Sequence, residues 1–241
     1  MYKEKEKEVS EEMDKRRKYL IGLDTETCNG IVVGDSIDLS NSLVYDLGWQ
    51  VCDKHGNVYE KRSYLIREVF VGMKDIMASA YYANKIPMYW EQVKLGQRKI
   101  ASLYDVRKQL FEDIKNYNVE NVFAHNARFD YNALNTTIRY ITKSKIRYFL
   151  PYNVEWWDTL KMASDTFGKE KMYRQFCLDN DYMTKHSTPR PRLTAEILFR
   201  YVTQNLDFVE SHTGLEDVEI ETFLMACMFA KHKKMRKALF E

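Results

Sequence analysis

Four cysteines, Cys28, Cys52, Cys177 and Cys227, lie far apart in a chain of 241 residues, and no CxxC pair occurs among them. That spacing argues against a structural zinc site, and the chain is long enough to bury a core without disulfides or metal. The four thiols read as buried cysteines of a reducing compartment. No apolar run approaches the roughly 18 residues that a membrane span needs. The N-terminal stretch MYKEKEKEVSEEMDKRRK is charged throughout and lacks the apolar region of a signal peptide. Internal repeats and low-complexity linkers are also missing. The expectation is a soluble, cytoplasmic protein with no membrane partner. Charge of one sign is not in excess either: 37 Lys and Arg stand against 35 Asp and Glu, a formal net charge of +2. Net charge therefore says little about partners, because an acidic pocket can offset a basic binding surface.

What the chain has in plenty is aromatic residues, 14% of the total, with 17 Tyr and 12 Phe. Aromatics normally build core, and they also supply stacking platforms for unpaired bases. Residues 1–18 mix both charge signs and read as an exposed arm or helix, and 19–241 as one domain. Tyr19–Asp24 is a short apolar run that ends in a carboxylate, the pattern of a buried strand. A loop with Gly30 and Gly34 follows. Leu43–Cys52 and Val58–Arg67 are strand-like and are separated by the turn signal Asp53–Asn57, so three antiparallel strands open the chain. An insertion over about 68–100 is rich in Met and Tyr, is broken by Pro87 and Gly96, and predicts short helices. Ser102–Tyr117 shows one apolar helical face with Ser102 as N-cap. Glu120–His125 predicts a strand followed by a helix to about Thr142, and Val154–Trp157 a fifth strand leading into a helix from Asp158. Residues 168–192 read as irregular and basic, and two helices, about Thr194–Gln204 and Gly214–Lys233, close the chain. The fold class is α/β, a mixed five-stranded sheet with flanking helices.

Three clusters carry chemistry. Asp24-Thr25-Glu26 ends the first strand, and side chains at i and i+2 share one strand face, so both carboxylates point the same way. His125-Asn126-Ala127-Arg128-Phe129-Asp130 lies at a strand-to-helix junction, where α/β folds place their sites; Asn126 is open to helix capping as well as to substrate contact. In Ser211–Asp217, Thr213 and Glu216 fit a capping box, which places His212 just outside a helix and Asp217 in its first turn. Those are the positions where a hydrophobic staple would serve stability better, so an imidazole and a carboxylate there point to function. Together these clusters offer Asp24, Glu26, Asp130, Asp217 and His212. Oxygen ligands of this kind suit two Mg²⁺ or Mn²⁺ ions better than zinc, and an imidazole suits a general base.

DxE at 24–26, HNAxFD at 125–130 and HxxxxD at 212–217 resemble, in order, the three exonuclease motifs of the DEDDh (DnaQ-like) family. The family includes polymerase proofreading exonucleases and oligoribonucleases, and the layout is most similar to phage or bacterial proofreading-type members. The resemblance spans about residues 19–230 and implies an RNase H-like fold and two-metal hydrolysis of single-stranded or frayed DNA. Nucleoside 5′-monophosphates would be released from the 3′ end. It implies Asp24, Glu26, Asp130 and Asp217 as metal ligands, His212 as the base that takes a proton from the attacking water, and Asp158 as a support behind the site. The 3′ end of RNA is the alternative substrate, since discrimination lies in flanking loops. A further alternative is an accessory module that docks a DNA polymerase.

Thr25, Thr27 and Asn126 lie beside the ligands and are candidates for contact with the terminal nucleotide. Phe129 is a candidate wedge against a base, with core packing under the helix the simpler reading. Tyr81, Tyr82, Tyr89 and Trp90, with Lys85, Lys94, Arg98 and Lys99, read equally as core or as a single-strand platform. Arg190 and Arg192, set among prolines, are candidates for phosphate contact.

Overall fold

The first strand, β1 (Tyr19–Cys28), runs longer than its apolar part Tyr19–Asp24 predicts. The structure, a computed structural model, describes residues 17–29, 31–33, 36–38, 40–78 and 80–240, so nearly all of the expected arm, together with Gly30 and Gly34, lies outside it. Strands β2 (Ile31–Val33) and β3 (Ser36–Asp38) form a separate two-stranded sheet. β4 (Leu43–Asp53) and β5 (Val58–Ile66) are joined by the expected turn. There the Asp53 carboxylate accepts the N–H groups of His55 and Asn57 and the Asn57 side-chain amide, and Gly56 takes a left-handed φ of 82°.

The 68–100 segment folds into α1 (Arg67–Phe70), α2 (Lys74–Ala78), a 3₁₀ turn at Ala83–Lys85 and α3 (Ile86–Lys94). It then forms a strand that the sequence does not announce, β6 (Lys99–Ala101), parallel to β5. The expected five-stranded sheet therefore has six strands, in the order β6-β5-β4-β1, continued by β7 (Asn121–Ala124) and β8 (Glu155–Asp158). β1, β4 and β5 are antiparallel, and the remaining pairings are parallel. Before β7 comes α4 (Leu103–Asn116), whose N-cap Ser102 accepts from the Asp105 N–H at 3.1 Å. α5 (Arg128–Thr142) follows β7, and α6 (Thr159–Asp165) follows β8.

The 168–192 segment is less irregular than expected, because it begins with a helix, α7 (Lys171–Asp179), that buries Tyr173 and Cys177 one turn apart. The rest of it closes on itself: Thr184 N–H donates to Arg190 O and Arg192 N–H to Tyr182 O, a small hairpin. α8 (Ala195–Thr203), capped by Thr194, and α9 (Gly214–Ala230) complete the chain. The C-terminal residues then lie along β8, with Asp158 N–H on Lys237 O and Leu239 N–H on Trp156 O.

Alternation along the strands divides the core. Ile21 and Leu23 pack with α4 and α5, while Leu20 packs with α6 to α9. α9 crosses β1 and β4 so closely that a Cβ on Gly48 would stand 2.1 Å from Leu215 N, and one on Gly214 would stand 2.7 Å from Gly48 N. The three free cysteines Cys28, Cys52 and Cys177 are buried and Cys227, also free, is half-buried. Among the described residues no helix is long and apolar enough to cross a membrane.

Candidate active site

The even-numbered residues of β1 face α9: Leu20 and Gly22 lie on that side, and period-2 alternation puts Asp24 and Glu26 there too. Thr25 faces the other way, toward α5, where its N–H and its hydroxyl donate to Asp130 Oδ1 at 3.1 and 2.8 Å. One strand thus presents two carboxylates and anchors a third. A register shift follows Glu26, and Thr27, beyond it, is not among the residues lining the cleft.

At the other end of the chain, His212 has a left-handed φ of 49° and turns the backbone into α9. Asp217 is held by the Thr213 N–H and the Ser211 hydroxyl, both at 3.1 Å. Ligating atoms of Glu26, His212 and Asp217 lie within 4.8 Å of one another, so the residues expected to replace a staple do meet. The capping box itself does not form. The Thr213 hydroxyl donates to the Glu216 carboxylate at 2.8 Å instead of capping the helix, and Glu216 is drawn to Arg98 at 3.0 Å. The Gly214 N–H is satisfied by Asp46 at 3.1 Å, and Asp46 is paired with buried Arg98.

The aromatic and basic cluster of the 68–100 segment therefore splits. Tyr89 and Arg98 are core, whereas Tyr82 and Lys85 reach the site. Lys85 Nζ donates to the carbonyls of Ser211 and His212 at 2.6 and 3.0 Å. The Tyr82 ring stacks on His212 with centroids 4.8 Å apart and planes 16° from parallel, and Lys85 Nζ lies 4.0 Å from the same ring's centroid.

Asp24, Thr25, Glu26, Tyr82, His212 and Asp217 border an open cleft of about 690 Å³, whereas Asp130, bonded to Thr25, is not among its lining residues. Asn126, with a φ of 64°, lines the cleft, and its N–H donates to Asp158, which also caps α6. The Asn126 side chain does not cap α5. Phe129 is half-buried on the cleft wall and belongs to neither core cluster, so the core reading gives way. Thr184, Arg190 and Arg192 bring the hairpin to the rim. His125 bonds Thr159 Oγ1 and Leu193 O through its two ring nitrogens, which ties that segment to the end of β7. Two further acids, Glu210 and Glu221, also line the cleft. Neither belongs to a sequence motif, although Glu221 stands four residues after Asp217 on the same helix, and that spacing is a signal.

So many acids in one place hold their protons tightly. Burial and then Asp130 and Glu221 raise Asp24 well above the usual range. Burial and Asp217 push Glu26 up to about 8. Burial takes Asp130 to about 7, and burial with Glu210 does the same for Asp217. His212 is lowered by burial and by Lys85. The Lys85 ammonium, bonded to two carbonyls, only partly offsets Glu26 and Asp217, which stay raised. A buried Glu221 oxygen lacks any partner. Hard oxygen donors with uncompensated charge and an orphaned oxygen fit divalent cations such as Mg²⁺ or Mn²⁺.

No family model matches the chain, and no curated protein matches its sequence. Solved structures do match in fold. The nuclease domain of 3′hExo, a DEDDh family member bound to rAMP, superposes with a TM-score of 0.59 at 12% identity, over 93% of this chain and 98% of that one. The 3′-exonuclease that recognises the 3′ end of a histone mRNA stem-loop gives 0.57 at 12% identity, over 91% and 85%. Cell-death related nuclease 4 (CRN-4) gives 0.51 at 10% identity, over 92% and 67%. The chain has the RNase H-like fold of DEDDh 3′-exonucleases.

Proposed function

We propose that this chain is a metal-dependent 3′–5′ exonuclease that removes nucleoside 5′-monophosphates from single-stranded or frayed DNA 3′ ends. The observation that carries the reading is convergence. Carboxylates from the two ends of the chain, on β1 and α9, meet a histidine in one cleft of a fold shared with 3′-exonucleases, and Asp130 of α5 is bonded to Thr25 between the two β1 acids. Asp24, Glu26, Asp130 and Asp217 would hold two divalent cations, Mg²⁺ or Mn²⁺, which when bound stabilise the charge that builds on the phosphoryl oxygens.

The chain's own groups do the rest. Thr25 fixes Asp130, and Ser211 with the Thr213 N–H fixes Asp217. The His212 imidazole takes the proton of the water that attacks phosphorus; burial and Lys85 keep it neutral and able to accept one. Asn126 and Phe129 flank the terminal nucleoside, and Arg190 and Arg192 meet backbone phosphates at the rim. A DNA polymerase is the partner that would present a mispaired end. RNA is the second reading, favoured by the rAMP and the histone mRNA stem-loop named with the two 3′-exonuclease structures.

Matched 5′-labelled DNA and RNA oligomers, incubated with Mg²⁺ or Mn²⁺ and with EDTA as control, test this. The expected result is stepwise shortening from the 3′ end that EDTA stops, with the faster substrate deciding between DNA and RNA. Asp217→Asn should lose about 10³-fold in rate, the size expected when a charge-stabilising ion is displaced, and His212→Ala on the order of 10²-fold. Undiminished cleavage by Asp217→Asn, or in EDTA, would sink the proposal.

A further inference from the structure

We infer that Glu221 is an additional carboxylate ligand of the cation site, supplied by the α9 face that carries Asp217. The inference rests on the metal-dependent reading above. Residues four apart on a helix lie one above the other, so Glu221 follows Asp217 along the edge of α9 that faces β1. Val218, Leu224 and Met225, on neighbouring turns of the helix, are buried core. A glutamate that is only 3% exposed there is costly unless something satisfies it.

The neighbouring acids are already held in place. Asp130 Oδ1 takes two bonds from Thr25, and both Asp217 oxygens are occupied. Glu221 is different. Its Oε2 is buried without any hydrogen-bond partner. The residue borders the same cleft as Asp24, Glu26 and Asp217, and the charges that act on it, Asp130, Glu210 and Asp217, are all negative. No side chain answers that oxygen, and a divalent cation does. A leucine would serve the packing of α9 better, so the acid is retained for the ion.

The test is Mn²⁺ binding without substrate, followed by the electron paramagnetic resonance signal of free Mn²⁺ and by the shift in melting temperature. Wild type is compared with Glu221→Gln, which keeps the shape, with Glu221→Leu, which matches the surroundings, and with Asp217→Asn. Both Glu221 variants should fold by circular dichroism, melt no lower than wild type without metal, and bind Mn²⁺ about tenfold or more weakly, with a smaller Mn²⁺-induced rise in melting temperature. If either folded variant binds Mn²⁺ with wild-type affinity and stoichiometry while Asp217→Asn does not, Glu221 is no ligand and this inference falls alone. If folded wild type takes up no Mn²⁺, the metal-dependent reading falls first and carries this one with it.

Discussion

The two sides of the cleft are built differently. The acidic wall stands on β1, α5 and α9, its side chains largely buried and held by bonds from the same elements. The facing rim stands on the 3₁₀ turn Ala83–Lys85 and on the hairpin around 182–192, where Arg190 and Arg192 are exposed. Groups that must keep a separation to within about 0.5 Å belong on strands and helices, whereas groups that follow a backbone of varying sequence can sit on connecting segments. Lys85 and Tyr82 join the two worlds. They come from the variable side, yet they grip the main chain and the ring of His212 on the fixed side.

Changes on the fixed side should cost most. In Gly48→Ala the new methyl meets the backbone of α9 at Leu215, so α9 must move by on the order of 1 Å and activity should fall about 10²-fold. A wild-type rate in a folded Gly48→Ala protein would mean that the wall is not rigid. The metal-free protein should also depend on pH. Glu26, Asp130 and Asp217 have folded-state pKa values raised to about 8, 7 and 7, so the folded state keeps protons that the unfolded chain releases. Stability is then greatest near pH 4–5 and declines as pH rises toward 8, by several degrees in melting temperature at roughly 2–4 °C per kcal/mol for a chain this long. Saturating Mn²⁺ should flatten that decline, because it binds the deprotonated ligands; an unchanged slope would contradict the site. Lys85→Met should lower kcat about tenfold and move the acid limb of the pH–rate profile upward, with partial rescue by Lys85→Arg. The smallest effect belongs to the rim. Arg190→Ala and Arg192→Ala should raise KM a few-fold with little change in kcat and reduce the salt dependence of single-strand binding by about 0.7 per arginine.

Much of the fixed side was legible in the sequence. Asp24 and Glu26 share a face because strand periodicity is 2, and Ser102, Asp158 and Thr194 each cap a helix at or beside the residue where the pattern starts it. The capping box at Thr213 misled because Glu216 had a stronger partner in Arg98, 118 residues away in sequence. β6 escaped because three residues at a sheet edge carry no alternation, and α7 because it has no side-chain cap to mark its start. Tyr82 and Lys85 stood out only as part of a cluster that read equally as core or platform; their grip on His212 could not be foreseen, because a contact across 126 residues leaves no local trace. Glu221 could have been, as the fourth residue after Asp217.

The C-terminal segment along β8 bears on how the molecule meets others. A free sheet edge offers unpaired N–H and C=O groups that recruit strands from other chains. Here Lys237 and Leu239 occupy one edge, with Lys161 Nζ binding the Ala238 and Leu239 carbonyls, and the opposite edge is the three-residue β6, which begins with an exposed lysine. Concentrated solutions should therefore resist edge-to-edge aggregation, and any protein that docks here has to address helices and loops rather than extend the sheet.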